Sequence, residues 1–174
     1  MQKELIILGT GMYGNTVKET ARMTRAYNRI VFFDDNFDRI IARFGNYIKS
    51  KSSFHVFPAI EDNRLRSYWL NAIEREKFLI PVIVHPTAKI SPSAKIYKGS
   101  YIGENAVINA DVVIGRGCIA GANAVIEQDS YIGDYSHIGM GSVIKSCSYV
   151  SGMYKVEAGT TFSNYYSYSF EMGM

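Results

Sequence analysis

From Val84 to Phe162 an apolar residue recurs every six positions without a slip. The series is Val84, Ile90, Ile96, Ile102, Ile108, Ile114, Ala120, Ile126, Ile132, Ile138, Ile144, Val150, Val156 and Phe162, with Ala120 its one small member. Four residues after each stands a second marked position, from Ala88, Ala94 and Ser100 to Ser142, Ser148 and Thr160, small at every repeat except Tyr154. A fixed six-residue period predicts a parallel β-helix. Each hexapeptide supplies one short strand and one turn, and three close a triangular coil. Residues eighteen apart then stack at the strand spacing of ~4.8 Å. The large residue fills the triangle, and the small one sits where the backbone bends. Glycine follows the apolar residue at 103, 115, 121, 133 and 139 and is read there as the permissive residue of a turn.

The first eighty residues follow a different pattern. Glu4 to Leu8 is an apolar strand, running into Gly9-Thr10-Gly11-Met12-Tyr13-Gly14, which fits G-x-G-x-x-G. A helical period follows from Asn15 to about Ala26, and Arg29 to Phe33 is a second strand ending in Asp34-Asp35. Strand, glycine loop, helix and strand in that order are the context of a phosphate-binding turn, with the anion at the helix N-terminus and an acid near the ribose. A structural glycine turn explains the same residues. Phe54 to Ile60 reads as a third strand, Glu61-Asp62-Asn63 as a turn and helix cap, and Arg64 to Phe78 as a helix with Leu65, Trp69, Leu70 and Ile73 on its apolar face. That is half a Rossmann unit, room for a mononucleotide and not for NAD. The chain therefore divides into a Rossmann-like α/β part at 1–80, an all-β solenoid at 81–162 and an aromatic tail at 163–174, expected to cover the last coil or pack on a neighbouring subunit.

Composition narrows the chemistry. The formal net charge is +3 over 174 residues, and the basic residues do not cluster, which argues against a nucleic-acid partner. Cys118 and Cys147 offer no disulfide framework; Cys118 falls in the small-residue series and is expected inside, Cys147 outside. The N-terminus runs straight into a strand with no signal peptide, no segment approaches a membrane span, and a cytoplasmic setting is expected. A zinc site of three histidines is not available, because the solenoid holds only His85 and His137. His85 is read as structural, and His55 as a satisfied or exposed histidine.

The stretches IILGTGMYGNTV, FFDDN, AIEDNRLR, VHPTAKISPSAKI and IEQDSYIGDYSHI, together with the hexapeptides, resemble the bacterial sugar O- and N-acyltransferases of sialic acid and UDP-amino-sugar biosynthesis. The resemblance implies a left-handed β-helix, a homotrimer of parallel prisms, acetyl-CoA or another acyl-CoA as co-substrate in the groove between two prisms, and a nucleotide sugar held by the N-terminal part. It implies nucleotide-sugar contacts at Gly9, Gly11, Tyr13, Gly14, Asp34 and Asp35. It implies a supporting acid at Asp129 and an acyl-donor contact at His137; His137 is also a candidate catalytic residue as a substitute base, against the readings of a binding residue or a surface histidine with no role. Gln128 stands where the family has its general-base histidine, and Tyr13 where its loop commonly has a histidine. A glutamine amide accepts no proton at neutral pH. Ser146, one coil beyond Gln128, is a candidate to offer its N–H to the acyl carbonyl. Two readings follow: an acyltransferase in surface-glycan biosynthesis, or a catalytically impaired relative that binds sugar nucleotides or acts as a scaffold.

Overall fold

The computed structural model describes residues 3–33 and 54–165. Asp34 and Asp35, and the tail beyond residue 165, lie outside the described residues. Strand β1 (Glu4–Leu8) is central in a parallel three-stranded sheet, flanked by β2 (Arg29–Phe33) and β3 (Phe54–Pro58). Period two sends its side chains to opposite faces. Ile6 and Leu8 pack with Trp69, Ala72 and Ile73 of helix α2 (Asn63–Arg75). Leu5 and Ile7 pack with Val17 and Ala21 of helix α1 (Met12–Met23) and with Ile83, Tyr101 and Ile119 of the solenoid. The N-terminal sheet and the β-helix thus share a core.

From Ile83 onward, two-residue strands β4 to β17 form a left-handed parallel β-helix with three faces. The first face stacks Ile83–Val84, Tyr101–Ile102, Ile119–Ala120, His137–Ile138 and Lys155–Val156. The second stacks Lys89–Ile90, Val107–Ile108, Val125–Ile126, Val143–Ile144 and Thr161–Phe162. The third stacks Lys95–Ile96, Val113–Ile114, Tyr131–Ile132 and Tyr149–Val150. Register is eighteen residues throughout, as in Ile119 against His137. The apolar series from Ile102 to Val156 is buried as one cluster. Buried serines of the small series satisfy their hydroxyls at the next corner: Ser100 Oγ donates to Gly115 O at 2.8 Å and Ser136 Oγ to Ser151 O at 2.7 Å. Cys118 is buried and Cys147 exposed.

The turn glycines have a different origin from the one expected. Gly103, Gly121 and Gly139 are not left-handed; a Cβ there would stand 2.7, 2.7 and 2.5 Å from an amide nitrogen of the next coil. Close stacking of coils excludes the side chain. From residue 99 onward the left-handed residue of each turn lies two positions later, at Gly99, Asn105, Asp111, Gly117, Asn123, Asp129, Tyr135, Gly141, Cys147, Met153 and Gly159. Where it is Tyr135, Cys147 or Met153 the conformation costs about 1–2 kcal/mol, which stacking must offset.

Element bounds also shift. Helix α1 begins at Met12, three residues before the expected start, so Tyr13 and Gly14 belong to its first turn. Strand β3 stops at Pro58. The residues after the last coil turn back over the third face: Tyr149 N donates to Asn164 O at 2.8 Å, and Tyr165 bridges Ser148 antiparallel. An otherwise open sheet edge is covered there.

In α2, Asp62 caps the helix by accepting the Leu65 N–H at 2.7 Å, as the sequence suggests. The apolar face is rotated from expectation: Leu65 is 46% exposed, and Arg66 is fully buried in its place. Arg66 reaches out of the helix into the β-helix corners. Its Nε donates to Gly117 O at 2.6 Å and its Nη2 to Tyr135 O at 2.8 Å, one coil apart. Nη1 donates to Ile60 O and Glu61 O, and Nη2 also to Asn63 Oδ1, so all five donors of the guanidinium are used. Lysine has three donors on one nitrogen and cannot span this fork. Arg66→Lys is expected to lower the unfolding free energy by about 2–4 kcal/mol, since buried acceptors lose their partners. Denaturant unfolding measures it, and a loss below about 0.5 kcal/mol would show that the fork is dispensable.

Candidate active site

Helix α1 crosses the first face of the β-helix, and the space between them is a cavity of about 760 Å³. One row of its β-helix wall is Tyr101, Ile119, His137 and Lys155, outward residues stacked eighteen apart. The adjacent row contributes His85, Gly121, Gly139 and Glu157. Because Gly121 and Gly139 carry no side chain, this strip of wall is bare backbone. Helix α1 supplies Met12, Tyr13, Thr16, Glu19 and Thr20. Thr20 Oγ1 and Tyr101 OH are bonded at 2.9 Å, and Tyr13 meets the Tyr101 ring edge-on at 5.6 Å. A second, polar cavity of about 380 Å³ lies beside the start of α2, lined by Asp62, Asn63, Arg64 and Met153 and sharing Glu61, His137 and Lys155 with the first.

The three glycines of the loop divide by cause. Gly9 has φ +111°, and a Cβ there would stand 2.6 Å from Ala59 O. At Gly14 a Cβ would fall 2.1 Å from Gly9 O, so the helix start and the strand end can close on each other only at glycine. A Cβ at Gly11, which sits at the N-cap without a side-chain bond, would meet nothing within 4 Å among the described residues beyond its chain neighbours. Gly9 and Gly14 therefore shape the turn. Gly11 alone leaves open space beside the helix N-terminus, where free N–H groups favour an electron-rich ligand.

His137 is half-buried between the two cavities. Burial, then the nearby Arg66 guanidinium and Lys155, push its pKa down to about 4, with Glu157 opposing. It is thus a neutral imidazole at physiological pH, with one donor and one acceptor nitrogen. His85 is buried, and its Nδ1 lies 2.9 Å from Thr87 Oγ1, which fits its structural reading. His55 likewise lies against Tyr27 OH, at 2.9 Å.

Gln128, Asp129 and Ser146 are elsewhere. They occupy the corner between the second and third faces and line neither cavity. Gln128 and Asp129 are exposed, and Asp129 takes the left-handed turn position. The Ser146 N–H is already engaged: it donates to Glu127 Oε2 at 3.0 Å, while Lys145 Nζ holds Glu127 Oε1 at 2.7 Å. That contact keeps the Glu127 carboxyl below its usual range, through the Lys145 and Ser146 hydrogen bonds first. Within one chain, then, Tyr13 and His137 share a cavity, and the Gln128 corner stands apart from it. Sequence reading passed over Arg66, though a signal for it exists. Arg66, Trp69, Leu70 and Ile73 fall at helical positions i, i+3, i+4 and i+7, so a cation stands inside an apolar stripe. Among the described residues, no group of three or more potential ligands can hold a metal ion, and no helix is long and apolar enough to cross a membrane.

Comparison with known proteins places these features. Residues 4–73 match the family described as the PglD N-terminal domain, and residues 78–164, half of the chain, match that of the GMPPB C-terminal domain. No curated protein matches the chain. Among solved structures, the acetyltransferase domain of PglB from Neisseria gonorrhoeae is 22% identical, with 95% of this chain and 94% of that one covered and a TM-score of 0.77. The same domain in complex with acetyl coenzyme A is 23% identical, with 94% of each chain covered and a TM-score of 0.62. A mutant GDP-perosamine N-acetyl transferase from Caulobacter crescentus, in complex with CoA and GDP-perosamine, is 20% identical, covering 93% of this chain and 89% of that one with a TM-score of 0.69. At these identities the likeness is one of fold. Joined to a PglD-type N-terminal domain, the β-helix half of the chain belongs to the GMPPB C-terminal domain family.

Proposed function

We propose that this protein transfers an acetyl or similar acyl group from acyl-CoA to the amine of a nucleotide-linked amino sugar. The observation that carries the reading is the cavity of about 760 Å³ that joins the glycine-loop helix to the bare-backbone strip of the β-helix, with His137 in its wall. Its two walls suit two ligands. The helix start beside Gly11 suits the nucleotide sugar, and the glycine strip suits the extended arm of an acyl-CoA. The similar folds crystallised with acetyl coenzyme A, and with CoA and GDP-perosamine, support this pairing.

In the reaction the amine nitrogen attacks the thioester carbonyl carbon. A C–N bond forms, the C–S bond breaks, and the departing thiolate of CoA takes up the proton that the amine loses, leaving the amide and free CoA thiol. Gln128 supplies no base for that proton. A hydroxyl is a poor nucleophile until a base draws off its proton during attack, whereas a neutral amine attacks through its more basic lone pair and loses its proton after the C–N bond has begun to form. The Gln128 substitution thus favours N- over O-acylation.

The active form in this proposal is a homotrimer in the cytoplasm. On the second face Val107, Val125 and Val143 point outward and stack in register, an apolar stripe suited to a neighbouring prism. Such packing would bring the Gln128 corner of one subunit towards the cavity of the next, which a single chain does not do.

The direct test is thiol release from acetyl-CoA with a panel of nucleotide-linked amino sugars. Turnover is expected in the wild type, rising about 10–100-fold in Gln128→His as a general base is restored. No turnover in the wild type, with turnover gained in the variant, would replace this reading with that of a binding or scaffold protein.

His137 gives a second prediction, on stability. Its folded pKa of about 4 lies below its ordinary 6.5. The unfolded chain therefore takes up a proton that the folded chain refuses, and stability held above pH 6.5 is lost as pH falls towards about 4. His137→Gln is expected to lose less thermal stability than the wild type between pH 7 and pH 4. Parallel curves of Tm against pH for the two proteins would contradict it.

A further inference from the structure

The Tyr13 ring is half-buried in the cavity wall, but its hydroxyl is shut off from solvent and has no hydrogen-bond partner among the described residues. Its polar neighbours among the described residues bond elsewhere. Tyr101 OH is paired with Thr20, and the five donors of Arg66 are committed to four carbonyl oxygens and Asn63. A buried hydroxyl left unpaired destabilises the free protein, so a partner that arrives with a ligand is favoured. Burial also pushes the phenol pKa well above its ordinary value, with Glu61 and Tyr101 adding to the rise and Arg66 opposing it. The group is a neutral O–H donor at any physiological pH.

The charge around it selects what it can meet. Glu19, Glu61, Glu104 and Glu157 line the same cavity; Arg22 pairs with Glu19 at 2.9 Å, Lys155 lies 3.7 Å from Glu157, and the guanidinium of Arg66 is already held by five acceptors. A phosphate or carboxylate oxygen at the Tyr13 position would face these carboxylates. An uncharged oxygen would not be repelled, and an amine nearby would be attracted. Tyr13 also stands on the first turn of α1, on the wall assigned above to the nucleotide sugar.

We infer that the Tyr13 hydroxyl is a specificity-determining donor that reads an uncharged oxygen, hydroxyl or ring ether, on the acceptor sugar; this rests on the reading of the cavity as the acceptor site. A phenol in this place makes the site a hydrogen-bond donor only when the incoming ring offers an acceptor oxygen at that point. Sugars deoxygenated there are discriminated against, because they leave the buried hydroxyl unpaired.

The experiment is calorimetric titration of wild type and Tyr13→Phe with GDP-perosamine and with UDP-glucosamine, each carrying a free amine, and with monodeoxy analogues of whichever binds. Tyr13→Phe keeps the ring and its packing. It is expected to weaken binding about tenfold, and one deoxy analogue is expected to bind the wild type about tenfold more weakly while binding the two proteins equally. The ligand-free Tm of Tyr13→Phe is expected to stay level or rise, since no bond is removed. Equal binding of the parent sugar by both proteins, or a fall in ligand-free Tm beyond about 4 °C, would overturn the inference while leaving the acyltransferase reading in place. If the wild type binds neither sugar nucleotide, the acceptor-site reading fails and this inference with it.

Discussion

The buried guanidinium of Arg66 fixes how the two parts of this protein meet. A cation removed from water needs full compensation, and here it comes from dipoles: four backbone carbonyls and one side-chain amide oxygen. Those acceptors come from the end of the N-terminal sheet, from α2 itself and from two successive corners of the β-helix. The guanidinium fork is planar and rigid, so satisfying all five donors leaves little freedom for rotation of α2 against the prism. The distance between α1 and the first face, and hence the cavity, follows from that docking. The same charge is among the causes that keep His137 neutral. Around it, Glu74 joins Lys98 at 2.7 Å and Arg116 at 3.0 Å, a partly exposed network that adds orientation more than stability.

The solenoid obeys a second constraint, the closeness of its coils. Backbone amides of one turn come within reach of any Cβ on the turn below, which makes Gly103, Gly121 and Gly139 necessary. Packing thereby also creates the side-chain-free strip along the cavity, so one requirement of stacking becomes a feature of the binding surface. The twist to left-handed φ is carried by the next-but-one residue. There Asn, Asp and Gly predominate because they tolerate that region best.

The site itself was unevenly legible. Hexapeptide period, inward and outward alternation, and the burial of Cys118 are all one-dimensional patterns, and the structure follows them. Gln128, Asp129 and Ser146 share a corner because eighteen-residue stacking requires it. Their distance from the cavity of the same chain is not a pattern in sequence, since it depends on which face the N-terminal domain covers. The engagement of the Ser146 amide by Glu127 was likewise hidden, because it depends on a side-chain rotamer that Lys145 secures. The helix containing Arg66 shows the opposite error. Hydropathy favoured Leu65 for the core, yet the fork of carbonyls waiting at the prism corners outweighs the apolar gain of one leucine.

The sequence alone determined the β-helix, its register and the half-Rossmann unit before it. Each of these rests on short-range periodicity or contiguous motifs, where the local backbone dictates the outcome. Tertiary structure alone decided that Arg66 locks the two parts together, that Gly9 and Gly14 shape a turn while Gly11 borders open space, and that Tyr13 and His137 face one cavity. These depend on contacts between residues tens of positions apart, such as Arg66 with Gly117 and Tyr135. Such contacts are settled by which buried polar groups find partners, a condition that no local pattern encodes.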